Sequence, residues 1–247
     1  EEFLAFGGIA SKNWQIQSGG AGLHPFDEFM AEAARRGIRF TNISPLRSDT
    51  EAVINADWLP IRPGTDMALI LALAHVVHAA GKTDRAFIDR YCVGFDRFEA
   101  YLMGRTDGIA KTAQWAAEIT GIQAATITDL ANRLIGKRVM LSAAWSLQRA
   151  EHGEQPYWGL ATLAAMLGQI GLPGAGVAYG YGSMNGMGNP LYEMQISGMP
   201  AIPQPDDLKI PVARVSDMLL SPGEDVEFDG RRVTYPDIRL VYWAGGN

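Results

Sequence analysis

Polar and basic side chains stand at the points where several apolar runs of this chain end. The run over residues 139–144 stops at Trp145-Ser-Leu-Gln-Arg149, a segment rich in hydrogen-bonding groups. A guanidinium group can hold a phosphate through two hydrogen bonds, and asparagine or aspartate offers the paired donors and acceptors that a purine requires. These residue types therefore favour a large, flat, anionic ligand. The same types recur after other apolar runs, at Lys12, Asn13, Ser44, Arg47 and Asn247. Arg62 ends a segment around residues 58–62 that is predicted to be a connection, and it would add positive charge to the same site.

These side chains can share one site only if the apolar runs before them are parallel strands of one sheet. Residues 3–6 and 38–43 predict two strands, and the helix between them begins at Pro25 and ends at Gly37. Such a strand, helix and strand form a crossover unit with parallel strands. We therefore predict the α/β class, with a Rossmann-like, mainly parallel sheet flanked by helices. Ligands of such sheets bind beyond the carboxyl ends of the strands.

A helix over residues 67–80 is predicted to start directly behind Pro63-Gly-Thr-Asp66. Thr65 or Asp66 is the expected N-terminal cap of this helix. The free backbone N–H groups at a helix start suit an anion or the polar edge of a base. A simple cap without a ligand explains the segment equally well, so both interpretations stay open here.

The remaining elements are predicted from helical spacing and from glycine and proline. Residues 83–134 predict a helical insertion of several short helices, with Thr83 and Thr112 as N-terminal caps. Residues 153–170 predict a long helix, and residues 172–211 predict a long loop rich in glycine and proline. A turn at Asp229–Gly230 then leads to a final strand over residues 238–244, with Asn247 behind it.

Composition and missing motifs limit the possible functions. The net charge of −6 disfavours a general nucleic-acid-binding surface, and no apolar run approaches the ~18 residues of a membrane span. The single cysteine, Cys92, excludes an internal disulfide and a four-cysteine iron–sulfur cluster. The phosphate loop of ATPases is absent, as is Gly-x-Gly-x-x-Gly directly after a strand. Ser146 and His152 lack an oriented carboxylate, so a nucleophilic serine is not favoured.

Two long motifs stand near the middle of the chain, Ala144-Trp-Ser-Leu-Gln-Arg-Ala-Glu-His-Gly-Glu-Gln155 and Thr162-Leu-Ala-Ala-Met-Leu-Gly-Gln-Ile-Gly-Leu-Pro-Gly174. They resemble the dimethyl sulfoxide reductase family of molybdenum enzymes, nearest the group of biotin sulfoxide, trimethylamine N-oxide and dimethyl sulfoxide reductases. The resemblance continues in order through nearly the whole chain, in Lys12-Asn13, Ile43-Ser-Pro-Leu-Arg47, Pro63-Gly-Thr-Asp66, Tyr101-Leu-Met-Gly104, Lys111-Thr-Ala-Gln-Trp-Ala-Ala117 and Tyr242-Trp-Ala-Gly-Gly-Asn247.

This resemblance implies that the chain binds bis(molybdopterin guanine dinucleotide) molybdenum, whose guanines and pyrophosphates match the ligand inferred above. Asp66 would be suited to the N–H edge of a guanine, and Gln148 and Arg47 are weaker additions. The cofactor-binding residues implied by the matching motifs are Lys12, Asn13, Ile43, Ser44, Gly64, Thr65, Asp66, Trp145, Ser146, Arg149 and Asn247. The family's Pro-Gly-Gly-Gly reads Pro173-Gly-Ala-Gly176 here, a change that alters the turn.

By the same resemblance, the serine that ligates molybdenum lies before residue 1, so residues 1–247 are expected to hold no metal ligand and no catalytic residue. The chain would be the dinucleotide-binding portion of a larger bacterial enzyme, inactive by itself, in the periplasm or the cytoplasm. The intact enzyme would reduce an S-oxide or an N-oxide by oxygen-atom transfer, with electrons from a donor protein or a reduced nicotinamide. Two alternatives remain: a nicotinamide-dependent oxidoreductase with an atypical Rossmann loop, and a truncated, non-catalytic binding module.

Overall fold

Five parallel strands form the sheet of the first of two structural units, residues 1–192. The structure, a computed structural model, describes residues 1–14, 23–47, 54–181, 183–186 and 208–242. In spatial order the strands are β3, β2, β1, β4 and β5. Their bounds are β1 (Glu2–Phe6), β2 (Arg39–Ile43), β3 (Asp57–Leu59), β4 (Val139–Ala143) and β5 (Gly176–Tyr179). The predicted α/β class with a parallel sheet is confirmed.

The register brings the carboxyl ends of the central strands to one edge. Phe6, the last residue of β1, lies opposite Ile43 of β2 and Ala143 of β4. Because alternate residues of a strand point to opposite faces, Leu4 and Phe6 enter one core and Ala5 enters another. The second, smaller core lies under helix α1 (Phe26–Arg35). Gly37 follows the end of this helix with φ +78°, as the predicted left-handed cap requires.

The larger core is built around helix α2 (Asp66–Ala79), in which residues 69–74 are all buried. A helix that is apolar on every side must be surrounded by other elements. Helices α5, α6 and α7 pack against α2 and bury it. The helices of this layer are α3 (Arg85–Tyr91), α4 (Phe95–Leu102), α5 (Ala113–Thr120), α6 (Ala124–Leu134) and α7 (Gln155–Met166). The helical character predicted for residues 83–134 is confirmed.

Two strands of the sheet were not predicted. β3 has three residues and lies at an edge, in a segment interpreted from sequence as a connection. β5 lies inside the stretch predicted as a loop, residues 172–211, and pairs with β4 from Gly176 opposite Met140. Both strands are too short to show a period of two in the sequence, and their backbone pairing with a longer neighbour defines them. The prediction of a continuous loop is therefore wrong at residues 176–179.

Two further predictions about helices are wrong, one about an N-terminal cap and one about helix bounds. Thr83 does not cap α3, because the N-terminal cap is Asp84, whose carboxylate accepts a hydrogen bond from the Phe87 amide at 2.9 Å. Thr112 does cap α5, since its hydroxyl accepts from the Trp115 amide at 3.1 Å. The helix predicted over residues 153–170 is shorter at both ends. A turn with His152 at φ +55° precedes α7, and Gly168 at φ +65° follows its last residue, Met166.

The second unit, residues 193–247, contains a short helix and a hairpin. Helix α8 (Val215–Leu220) precedes strands β6 (Asp225–Phe228) and β7 (Arg231–Thr234), which are joined by the predicted turn at Asp229 and Gly230. The strand predicted over residues 238–244 is wrong for residues 238–242, because no described strand offers them backbone partners. Residues 243–247 lie outside the described residues. Within the described part of the chain, no helix has the length and apolar character needed to cross a membrane.

Candidate functional site

A cavity of about 900 Å³ lies beyond the carboxyl ends of β1, β2 and β4. The strand order reverses between β1 and β4, which makes this the switch point at which open α/β sheets bind ligands. A second cavity of about 270 Å³ shares Gly7, Leu46 and Ser146 with the first. The two adjacent cavities together make up the candidate site, here named the strand-end site.

Eight of the eleven residues predicted for the cofactor line this strand-end site. Ser44, Gly64, Asp66, Ser146 and Arg149 line the larger cavity. Lys12, Asn13, Trp145 and Ser146 line the smaller one. These residues come from four separate segments of the sequence, so the sheet topology is what brings them together. Their roles toward a ligand remain predictions.

The other three predicted residues are placed differently. The Ile43 side chain is buried in the larger core, and its carbonyl accepts a hydrogen bond from the Gly7 amide at 2.9 Å. The Thr65 hydroxyl donates to the Arg62 carbonyl at 2.7 Å, and Thr65 is not part of the cavity lining. Asn247 lies outside the described residues. A role for Ile43 or Thr65 would therefore fall to the backbone.

Positive charge at the site is smaller than the sequence indicated. The Arg62 guanidinium donates to the carbonyls of Glu118 and Ile119 near the end of α5, at 2.7 and 3.2 Å, and so stabilises a helix terminus. Among the described residues, the cations that line the two cavities are Lys12 and Arg149. Arg47 and Gln148, the weaker additions, are exposed and do not line either cavity.

Asp66 is the buried acid of the site. It begins α2, is only 5% exposed and lines the larger cavity. Among the described residues it forms no ion pair. Burial therefore raises the pKa of the Asp66 carboxyl from 3.8 to about 6, despite a backbone hydrogen bond that favours the ionised form. An unpaired carboxylate facing a cavity is a group prepared to accept hydrogen bonds from a ligand.

The loop after β4 is fixed from three directions. The Ala144 amide donates to the Phe6 carbonyl at 2.8 Å, and the Trp145 amide donates to the Ser183 hydroxyl at 3.1 Å. The Tyr157 hydroxyl, on α7, donates to the Ala144 carbonyl at 2.8 Å. Burial raises the pKa of the Tyr157 hydroxyl, which keeps this donor protonated. Trp145–Gln148 then form one 3₁₀ turn that presents Ser146 to both cavities.

Gly7 allows the loops after β1 and β4 to touch. Its φ is +87°, a conformation that favours glycine. A Cβ at this position would lie 2.9 Å from the Ala144 Cβ and 3.1 Å from the Ser146 Oγ. The pair Gly7-Gly8 directly after the first strand was the available sequence signal for this role, although the residue was not predicted as part of the site.

Trp145 carries a donor without an acceptor. Its ring lies 6.1 Å from the Tyr179 ring, and its Nε1 is buried with no hydrogen-bond partner among the described residues. A Cβ on Gly180 would come within 2.9 Å of the indole Cε2, so a glycine is required beside the ring. A buried N–H without a partner is rare in folded proteins and calls for an explanation.

The lining residues that were not predicted for the site include two with aromatic rings, Tyr101 and His152. Tyr101 reaches the larger cavity from α4, about a hundred residues after β1, and no local sequence pattern could place it there. His152 lines the same cavity from the turn before α7. Among the described residues, no cluster of three or more histidine, cysteine, aspartate or glutamate side chains is suited to hold a metal ion.

Comparison with known proteins identifies the family. The family model described as molybdopterin oxidoreductase matches residues 25–246, which is most of the chain. The chain belongs to the molybdopterin oxidoreductase family. This finding confirms the resemblance seen in the motifs, and it gives no support to the nicotinamide-dependent oxidoreductase or to the non-catalytic module.

Curated relatives extend the match. The chain is 45% identical over its whole length to the biotin sulfoxide reductase of Cereibacter sphaeroides, of which it covers 33%. It is 44% identical over 92% of its length to the trimethylamine-N-oxide reductase of Haemophilus influenzae, and it covers 28% of that protein. A dimethyl sulfoxide/trimethylamine N-oxide reductase of Cereibacter sphaeroides is 43% identical over 88% of the chain, which covers 28% of it. The chain thus spans about a third or less of these relatives.

A solved structure supports the fold. The acetylene hydratase from Pelobacter acetylenicus aligns with 69% of this chain at a TM-score of 0.53 and 25% sequence identity, and the chain covers 22% of that protein. In the acetylene hydratase, the region that matches this chain is a part of a longer polypeptide.

Proposed function

We propose that this chain is the portion of a molybdenum S-oxide or N-oxide reductase that holds bis(molybdopterin guanine dinucleotide). The observation that carries the proposal is the convergence of loops from β1, β2 and β4 on the switch point of the sheet. A dinucleotide cofactor is long, so it needs a site that several strand ends build together. The family match supports a molybdopterin group, and the guanine dinucleotide form is inferred from the side chains at the strand-end site.

The chemistry of the lining residues fits such a group. Lys12 and Arg149 are cations without an ion-pair partner among the described residues, as pyrophosphate binding requires. Asp66 offers carboxylate oxygens for the N–H edge of a guanine, and Asn13 offers an amide. Trp145 supplies an N–H donor for which the described residues offer no acceptor. Gly7 allows the loops after β1 and β4 to approach each other at the site.

Further contacts follow from the family motifs. Ser44 and Ser146 would donate hydroxyl hydrogen bonds, whereas Ile43 and Thr65 would contribute backbone groups beside Gly64. Asn247 is proposed on the motif alone. When bound, the molybdenum centre supplies the oxygen-atom transfer, and the present residues bind the cofactor, orient it and set the electrostatic field around it. The substrate would be an S-oxide or N-oxide, and electrons would come from a donor protein or a reduced nicotinamide.

Metal and nucleotide analysis of the intact protein tests the proposal. Purified protein should contain molybdenum together with guanine that is released on acid denaturation. Reduction of dimethyl sulfoxide, trimethylamine N-oxide and biotin sulfoxide by the same preparation should require that content. Full activity in a preparation free of molybdenum and tungsten would refute the proposal, and a saturable NADH titration of molybdenum-free protein would favour the nicotinamide alternative.

Replacing one cation tests the assignment of the site. Arg149→Ala should lower both the molybdenum and the guanine content, because the phosphate loses a charged donor worth roughly 1.5–3 kcal/mol. Arg97→Ala is the matched control, since Arg97 is exposed on α4 and lines neither cavity. Unchanged cofactor content in Arg149→Ala would remove Arg149 from the site without affecting the family assignment.

A further inference from the structure

Tyr101 forms part of the wall of the larger cavity. It lies on α4, and its side chain is neither buried in the core nor fully exposed, with 37% of the residue accessible. Helix α4 packs against α2, whose first residue, Asp66, lines the same cavity. One cavity therefore contains both an aromatic ring and an unpaired carboxylate.

A buried ammonium group fixes the ring from behind. Lys111 is 2% exposed, and its Nζ lies 4.2 Å from the centroid of the Tyr101 ring. The same Nζ donates to the Asp107 carboxylate and to the Ile109 carbonyl, each at 2.5 Å. The hydrogen bond from Lys111 lowers the pKa of the Asp107 carboxyl, so this carboxylate stays ionised. A cation over one face of an aromatic ring covers that face, and the rest of the ring remains available to line the cavity.

The loop between α4 and α5 is shaped to place this lysine. The Lys111 amide donates to the Leu102 carbonyl at 3.0 Å, so the chain returns to the end of α4. Gly104 has φ +73°, and a Cβ there would lie 2.5 Å from the Ala110 nitrogen. The turn therefore requires glycine at residue 104. Tyr101, Gly104 and Lys111 are thus one structural unit, although the sequence separates them.

We propose that Tyr101 is the stacking wall for a planar ring of the bound cofactor, the guanine base, and that Lys111 is the positioning residue that holds the tyrosine ring. This inference rests on the proposed function. A purine is recognised by hydrogen bonds along its edge and by an aromatic surface against its face. Asp66 is suited to the edge, and Tyr101 is, with His152, one of the two aromatic side chains that line the larger cavity among the described residues. Of these two, Tyr101 is the one held by a buried cation.

Substitutions at residue 101 test the stacking role in the intact, cofactor-loaded protein. Tyr101→Leu should increase the rate of guanine loss during prolonged gel filtration about tenfold, because stacking of a base on an aromatic ring contributes on that order. Tyr101→Phe retains the ring and should behave as the unchanged protein does. Tyr91→Leu is the matched control, since Tyr91 also has a cation over its ring, Arg90 at 5.2 Å, but lines no part of the site.

Lys111→Met tests the positioning role through its coupling to residue 101. In this background, Tyr101→Leu should produce little additional guanine loss, because the ring is already misplaced. A full tenfold effect in both backgrounds would refute the role of Lys111. Equal retention by Tyr101→Leu and unchanged protein would refute the stacking wall, while absence of guanine from unchanged protein would instead refute the proposed function.

Discussion

Replacing Asp66 with asparagine should stabilise the cofactor-free protein at neutral pH while weakening its hold on the cofactor. The carboxyl is 5% exposed, and burial raises its pKa from 3.8 to about 6. An acid with a raised pKa binds its proton more tightly in the folded state than in the unfolded state. The contribution of Asp66 to folding stability is therefore most favourable while the carboxyl is protonated in both states, and this contribution falls as pH rises.

The size of the effect follows from the shift. Since one pKa unit corresponds to about 1.4 kcal/mol, the rise from 3.8 to about 6 corresponds to about 3 kcal/mol at full ionisation. The loss starts near the unfolded-state pKa and is complete above the folded-state value, so it falls mainly between pH 4 and pH 7. Asparagine has a similar shape and no titration, so Asp66→Asn should lack this loss.

Urea denaturation of cofactor-free protein from pH 4 to pH 8 measures the difference. The stability of Asp66→Asn relative to the unchanged protein should rise by about 2–3 kcal/mol over that range. Glu154→Gln is the control, because hydrogen bonding lowers the pKa of that exposed carboxyl and its titration falls at lower pH. Parallel pH profiles for Asp66→Asn and the unchanged protein would show that the carboxylate has a partner, and the argument would fail.

Two more predictions concern the loop after β4. Gly7→Ala should lower the free energy of unfolding in urea by at least 1 kcal/mol, because the new side chain combines a positive φ with a contact of 2.9 Å to the Ala144 Cβ. Gly136→Ala is the control, since it has a positive φ but its Cβ meets no atom within 4 Å, and it should cost less. Tyr157→Phe should lower the free energy of unfolding by about 1 kcal/mol, because it loses the hydrogen bond to the Ala144 carbonyl, and it should also lower the guanine content. Thr162→Val is the control, since it removes a comparable hydroxyl-to-carbonyl hydrogen bond on α7 and should leave the guanine content unchanged.

The sequence was sufficient for the elements that carry long apolar patterns. The strands β1, β2 and β4, the helix α2 and the helical block that follows it were all predicted, because their hydrophobic spacing and glycine stops are local properties. The edge strands β3 and β5 were not, since a three- or four-residue strand is defined by the neighbour with which it pairs. Short edge elements therefore depend on tertiary structure rather than on local preference.

The site residues divide in the same way, into those that local sequence predicted and those that depend on tertiary packing. Lys12, Ser44, Asp66 and the loop at Trp145 directly follow predicted strands or begin a predicted helix, and the topology brings them to one edge of the sheet. Arg62 was predicted to add positive charge to the site, but its guanidinium binds a carbonyl of α5 instead. Only the packing of α5 against the rest of the unit shows this. Tyr101 was missed as a site residue for a similar reason, since a helix packed against α2 carries it into the cavity. Such residues become visible only when distant segments are assembled.

The energetic features of the strand-end site indicate that ligand binding and folding are coupled. The buried Asp66 carboxylate and the Trp145 N–H, which lacks an acceptor in the described part of the chain, each reduce the stability of the protein without a ligand. A cofactor that donates to the first and accepts from the second removes both penalties, and it adds stability in proportion to the logarithm of its saturation. The strand-end site is thus less stable empty than a site lined by apolar side chains would be. On this basis a chain of net charge −6 could retain the proposed anionic cofactor, because the binding energy would come from local polar groups and two cations rather than from the overall field.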